Sequence, residues 1–366
     1  MVQPLVSIVL PVFNAHPYID AALRSLRNQT HRELEIIAID DGSTDGSPAI
    51  LRRHAAEDPR IVLVSRENRG LVATLNEGLG RATGRYVARM DADDIAYPHR
   101  IERQLAAFAA RPGLGICGSG FDTIRRDRLR QRHLDPMFRR CDLGILSLFF
   151  TVFIHPTVMF DRAVAGSALA YDPAYPHAED FDLFRRLTGQ VPALMIEESL
   201  IAYRLHEGSV SQRHKTEMRR THVRIVTETL AADGFDADFA AFAAAASEVE
   251  PGSVAPIADF LEAIGRQAAL RPPETSASYA AGLRTFFYFL FGTMCDHDNP
   301  RIVPAFLDRT AGWSLIRRRE RAIYGGLSRY PALVSASRAA SDMMDWCIDA
   351  ARARPVRTPA GGVALT

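Results

Sequence analysis

The chain has 366 residues, carries 44 basic against 43 acidic side chains for a formal net charge of +1, and is 47% apolar. That length suits one large domain plus an extension, the apolar fraction argues against general disorder, and the near-neutral balance gives no reason to expect nucleic-acid binding. Lys215 is the only lysine, which excludes a G-K-[ST] phosphate loop, and its setting in SQRHKTEMRR does not look like a Schiff-base site.

In chain order, VSIVLPV (6–12) is an apolar run of strand length. It has no basic leader and breaks at Pro11, so it reads as a strand rather than a signal peptide. Pro17 then opens a helix with Ile19, Ala22, Leu23 and Leu26 at helical spacing. Strands at 34–39, 61–65, 85–90 and 114–120 alternate with helices near 46–56, 70–82 and 98–110. This pattern predicts an α/β fold with a mostly parallel sheet covered by helices on both faces. From 121 to 207 the pattern loosens into short strands (157–160, 192–197, 200–205) around a helix near 179–188. From 212 onward it reads as helical, with Ala-rich segments at 221–247 and 254–270, an aromatic segment at 280–295, and loops at 248–256 and 269–278. Cys117, Cys141, Cys295 and Cys347 are far apart, which fits a reducing compartment better than a zinc site or a disulfide framework. No stretch reaches the roughly 18 apolar residues a membrane span needs.

In an open parallel sheet, ligands bind at the carboxyl ends of the strands. The polar residues that follow three of these strands are Pro11-Val12-Phe13-Asn14, Asp40-Asp41-Gly42-Ser43-Thr44-Asp45 and Asp91-Ala92-Asp93-Asp94. Two acidic clusters therefore converge on one edge. Carboxylates packed that closely repel one another unless a cation compensates. Hard oxygen ligands of this kind favour Mg²⁺ or Mn²⁺, and the ion would bridge to a diphosphate. A capping role for the DADD cluster at the next helix, or a solvated acidic loop, is the competing reading.

Taken together these segments resemble the family 2 inverting glycosyltransferases of GT-A fold. The resemblance is carried by VSIVLPVFN, SLRNQT (25–30), ELEIIAIDDGSTDGS (33–47), the run from Glu67 to Asp94, P-x-R (98–100), HPTVMFDR (155–162), AEDFDLFRRL (178–187) and YRLHEGSVS (203–211). It covers roughly residues 5–212. It implies a glycosyltransferase domain at 1–212, with a nucleotide-sugar half to about 120 and an acceptor half beyond. The residue pattern, not the resemblance, then reads as a helical region at 213–354 and a disordered tail at 355–366.

The resemblance also implies roles. The backbone of Pro11, Val12, Phe13 and Asn14 and the side chain of Asp41 would hold the nucleobase, uracil in most such enzymes. Asp91 would lie near the ribose and the metal, and Asn68 and Ala92 would also belong to the nucleotide site. Asp93 would be the principal metal ligand, with Asp94 as its substitute and His206 approaching from the far side. Asp180 would be the general base and Glu179 its orienting or acceptor-binding partner, or the two roles would be reversed, where an isolated Glu-Asp at a helix start reads as macrodipole stabilisation or capping. The implied partners are a nucleotide-sugar donor and a saccharide or lipid-linked acceptor, with no nucleic acid. The setting would be cytoplasmic, in surface polysaccharide or glycolipid synthesis.

Beyond 212 the resemblance is silent. GLRTFFYFLFGTMC (282–295) is the most hydrophobic segment and reads as core or helix packing, with docking on a membrane or a partner as the competing reading. Residues 301–357 hold eleven arginines against five acids, interleaved with Trp313, Tyr324, Tyr330 and Trp346, a mix that suits peripheral contact with an anionic membrane. The strong preference for arginine over lysine across the whole chain weakens that signal. Among competing classes, a nucleotidyltransferase would place a Gly-rich basic loop where PVFNAHP stands. A dinucleotide oxidoreductase would need G-x-G-x-x-G there. A catalytically dead nucleotide-sugar module would have lost the Glu-Asp pair.

Overall fold

The structure is a computed structural model that describes residues 3–126, 128–206, 214–299, 301–326 and 354–355. The chain forms two compact units, one from Met1–Arg139, Thr151–Arg213 and Ala353–Thr366, the other from Arg140–Phe150 and His214–Arg352.

In the first unit the apolar run becomes β1 (Val6–Val12), whose unbroken burial is what a strand covered on both faces requires. It pairs in parallel with β2 (Leu34–Asp41) on one side and β4 (Tyr86–Arg89) on the other, and β2 pairs in parallel with β3 (Ile61–Arg66). On one face, Ile19, Leu23 and Leu26 of α1 (Ile19–Arg27), Leu51 of α2 (Ser47–Glu57) and Ile101 and Phe108 of α4 (Arg100–Ala110) pack with Ile8, Leu10, Ile36 and Ala88. On the other, α3 (Leu71–Arg81) approaches so closely that a side chain at Gly78 would collide with Val9.

The rest of the sheet is mixed. A strand Met159–Asp161 runs antiparallel beside β4 and beside a long strand, Ile116–Arg125. In chain order these take the labels β8 and β6. β6 pairs antiparallel with β7 (Arg128–Arg130) and parallel with β9 (Ala193–Leu205), and β9 holds the two-residue β5 (Ile95–Ala96).

Several expectations are corrected here. The segments 192–197 and 200–205 are one strand, not two; its pairing with β6 shifts register at Ser119–Phe121. Gly120 accommodates that bulge, since a Cβ there would sit 2.7 Å from the Glu197 carbonyl oxygen. Residues 121–125, expected to be irregular, continue β6, which turns back as β7. β2 runs two residues past 39, into Asp40 and Asp41, because the parallel ladder with β3 continues through Asp41↔Arg66. Arg354–Pro355, expected at the junction of helix and tail, is β10, a strand antiparallel to β7. A helix Glu179–Thr188, labelled α5, falls where the sequence predicts one and carries the Glu-Asp pair.

The second unit is helical: α6 (Lys215–Ala232), α7 (Phe239–Ser247), α8 (Val254–Ala269), α9 (Pro273–Cys295), α10 (Ile302–Arg309) and α11 (Arg318–Arg321). The span 221–247 is broken at Asp233–Asp238, where Gly234 adopts φ 80°. The expected loop 269–278 gives way to helix at Pro273, because proline is at home in a first helical turn. Arg140–Phe150 belongs to this unit: Asp142 N–H donates to Ser278 Oγ (2.9 Å) and Thr229 Oγ1 to the Leu148 carbonyl (3.2 Å).

Candidate active site

The loops after β1 and β2 are laced to each other. Asn14, at φ 49° in the left-handed region that asparagine tolerates, donates its N–H to Ser43 Oγ (3.0 Å) and accepts at Oδ1 from Thr44 N–H (2.8 Å). Ala15 N–H donates to Ser47 Oγ and His16 N–H to Asp45 Oδ2, both at 2.9 Å. Phe13 is left outside this lacing, 52% exposed. Asp41 is buried, accepting from Arg69 N–H (2.8 Å) at Oδ1 and from Gly70 N–H (3.0 Å) at Oδ2, and pairing with Arg66. Asn68 Nδ2 donates to the Asp41 carbonyl (2.9 Å). Gly42, at φ 76°, lets Asn68 approach: a Cβ would lie 2.7 Å from its amide nitrogen. Any contact Asp41 makes with a base is therefore shared with the 66–70 segment.

β4 delivers the acidic turn. Asp91 ion-pairs with Arg89, the buried last residue of the strand. Asp93 Oδ2 meets His206 Nε2 at 2.8 Å. Asp94 Oδ1 accepts from Arg204 N–H (2.7 Å), while Arg204 Nε donates to the Asp93 carbonyl (2.9 Å). The end of β9 and the residue after it thus hold the turn. Tyr18 braces that end, with the Arg204 guanidinium 4.8 Å above its ring and the His206 ring 4.9 Å away. From beneath, fully buried Arg100 donates to the Arg89 carbonyl (2.7 Å) and to Gln104 Oε1 (3.1 Å).

The electrostatics show what the cluster lacks. Burial, with the charges of Asp91 and Asp93 added, pushes the Asp94 carboxyl well above the usual carboxylate range. Burial also raises Asp91, against the pull of Arg89. Asp94 Oδ2 is buried with no hydrogen-bond partner. Oxygens of Asp91, Asp93 and Asp94 all lie within 4.8 Å of one another. Three hard oxygen ligands, one of them orphaned and sealed from water, fit a divalent cation.

α5 brings a second pair of carboxylates within electrostatic reach of Asp91. Glu179 and Asp180 occupy its first turn, where the helix dipole favours carboxylates. Glu179 is buried, and desolvation followed by the neighbouring charge of Asp180 pushes it up to about 7, while Arg89 pulls the other way. Asp180 is partly exposed and accepts at Oδ1 from Phe181 N–H (2.7 Å). Behind the pair, Tyr171 and His155 Nε2 share a hydrogen bond of 2.7 Å. Burial and the charge of Arg89 keep His155 neutral. Asn76 fixes the backbone of Tyr171 twice, donating to its carbonyl (2.8 Å) and accepting from its N–H (2.9 Å).

Asp91, Asp93, Asp94 and His206 are thus brought together, and Glu179 and Asp180 lie within electrostatic reach of Asp91. Pro11–Asn14, Asp41 and Asn68 are brought together at the neighbouring strand ends. Arg89, Tyr18, Arg204 and Tyr171 were not singled out from sequence. Two of them left a trace there: Arg89 as a charged residue inside an otherwise apolar strand, and Arg204 within the quoted segment 203–211. The expected motif residues Glu207–Ser211 lie outside the described residues.

The glycosyl transferase family 2 model matches residues 7–165. A curated relative from Haemophilus influenzae, named an uncharacterized glycosyltransferase, is 33% identical over 239 residues, 62% of this chain and 73% of its own length. Among solved structures, a mannosyltransferase from Pyrobaculum calidifontis in complex with GDP-Man and Mn²⁺ aligns over 96% of this chain and 87% of its own, with TM-score 0.54 and 19% identity. Staphylococcus aureus TarS 1–349 in complex with UDP aligns over 85% and 91%, with TM-score 0.52 and 16% identity. At such identities the two structures bear on the fold alone.

Proposed function

Because the chain belongs to the family 2 glycosyl transferases, we propose that it is a metal-dependent inverting enzyme moving a sugar from a nucleotide diphosphate sugar, a UDP-sugar, to an acceptor hydroxyl in surface polysaccharide or glycolipid synthesis. The observation that carries this reading is a three-carboxylate turn with an orphaned oxygen, whose Asp91 lies within electrostatic reach of the helix-borne pair Glu179 and Asp180.

Exposed Phe13 offers its ring to the base, with the Pro11–Asn14 backbone, Asp41 and Asn68 around it. Asp91 and the backbone at Ala92 receive the ribose. Asp93, Asp94 and His206 would hold Mg²⁺ or Mn²⁺, which when bound supplies Lewis-acid stabilisation to the departing diphosphate. Asp180 takes the proton of the acceptor hydroxyl as the new bond forms, and Glu179 orients that hydroxyl. Attack from the face opposite the leaving group inverts the anomeric centre. A second assignment, with Glu179 as the base, is supported by its burial beside Asp180, which pushes its carboxyl up to about 7.

The test is release of nucleoside diphosphate from a panel of UDP- and GDP-sugars, with and without Mn²⁺ or Mg²⁺, beside Asp93→Ala. Metal-dependent hydrolysis of one donor, lost in the variant, is expected. Metal-independent turnover, or full activity in Asp93→Ala, would overturn the metal assignment. For the base, Asp180→Asn is expected to lose transfer by roughly 10²–10⁴-fold with donor affinity retained. Should Asp180→Asn turn over near normally while Glu179→Gln does not, the two roles are exchanged.

A further inference from the structure

The helical unit carries a surface that this chemistry does not use. The turn Gly312–Ser314 rests against α9, where a Cβ at Gly312 would lie 2.6 Å from the ring of Phe287. The Tyr288 hydroxyl donates to the Leu315 carbonyl. Folded back this way, the segment buries Ile316 but leaves Leu315 40% exposed and Tyr288 36% exposed. The chain then runs Arg317-Arg318-Arg319-Glu320-Arg321, with Arg317 and Arg318 exposed.

Over the described residues 301–326, six arginines stand against Asp308 and Glu320. Both acids are engaged locally: Asp308 Oδ1 accepts from the Trp313 indole N–H (2.6 Å), and Glu320 accepts from Arg317 N–H (2.7 Å).

A single exposed leucine needs no explanation. An exposed Leu and Tyr joined by a hydrogen bond, next to a run of arginines, is different: the apolar side chain can insert, and the long cations can lie along a charged interface. No helix among the described residues is long and apolar enough to cross a membrane, so contact of this kind would be superficial.

We propose that Tyr288, Leu315, Arg317 and Arg318 dock the protein on the surface of an anionic lipid bilayer. The arginines alone would also suit a nucleic acid. The outward Leu315 decides for a bilayer, which can take up its side chain. The proposal rests on the glycosyl-transfer reading only for its purpose, reaching a lipid-linked acceptor. The contact itself is argued from the patch.

The experiment is flotation of the full chain with vesicles of phosphatidylcholine alone or mixed with phosphatidylglycerol. Binding to the mixed vesicles is expected, weakened by salt and reduced about tenfold or more in the Arg317→Glu/Arg318→Glu double variant. Leu315→Glu is expected to reduce it too. Equal partition into both vesicle types, no flotation, or binding unmoved by all these substitutions overturns the proposal. So does heparin binding through the same arginines without vesicle binding. Donor hydrolysis in solution by the double variant should match wild type, which separates a failure here from a failure of the glycosyl-transfer reading.

Discussion

Truncating Arg89 to Met keeps its stem but removes a buried cation whose charge is felt by Asp91, Glu179 and His155 alike. Breaking a buried pair typically costs about 3–5 kcal/mol, because the remaining charge stays desolvated. Arg89→Met should therefore lower the denaturation midpoint and weaken donor binding, and Arg89→Lys should recover part of both. Unchanged donor affinity in a folded Arg89→Met protein would remove Arg89 from any role in the site. Glu179 gives a prediction in pH. Its value is raised from 4.5 to about 7 in the fold, so the folded state favours the proton. The stability this contributes is fully present below 4.5 and is lost as pH rises through about 7. Glu179→Gln, which stays neutral, should show a flatter melting temperature across that window and gain on wild type above it. Parallel pH profiles for the two proteins would contradict the assignment.

The elements that sequence predicts well are those whose signal is local. β1, α1, β2, α2, β3 and α3 fall within a residue or two of expectation, because apolar runs and helical spacing are set by the residues themselves. The acidic turn was legible as a site candidate because its three carboxylates are contiguous in sequence, whereas the Glu-Asp pair became a candidate only through the family resemblance. What was missed depends on partners distant in sequence. β5 is two residues long and exists because Ile95 and Ala96 pair with Ala202 and Ile201. The continuity of β9 depends on Gly120, some eighty residues earlier, a relation that no window of sequence contains. Gly120→Val should force the β6–β9 bulge apart at a cost of roughly 1–3 kcal/mol, read from a denaturant midpoint. A neutral result would show that the bulge relaxes freely. Tyr18 and Arg204 escaped notice likewise, since their stacking joins the start of α1 to the end of β9.

At the scale of the whole molecule, the candidate donor site lies within the first compact unit, and we propose that the two units unfold separately. Calorimetry should then resolve two transitions, with only one rising when Mn²⁺ and donor are added. A ligand at about a hundred times its Kd contributes roughly 2.7 kcal/mol to the unit that binds it. A single transition, or two that shift together, would argue for one cooperative block. The laced loops after β1 and β2 carry a further consequence. With Asn14, Ala15, His16, Ser43 and Thr44 amides already bonded to side-chain oxygens, the cradle is ordered before any donor arrives, so little conformational entropy remains to be lost on binding. Amide hydrogens at these positions should exchange slowly in the ligand-free protein and change little on saturation. Divergence in base preference would then have to come through side chains at the rim, Phe13 first among them, with the loop backbone kept as it is.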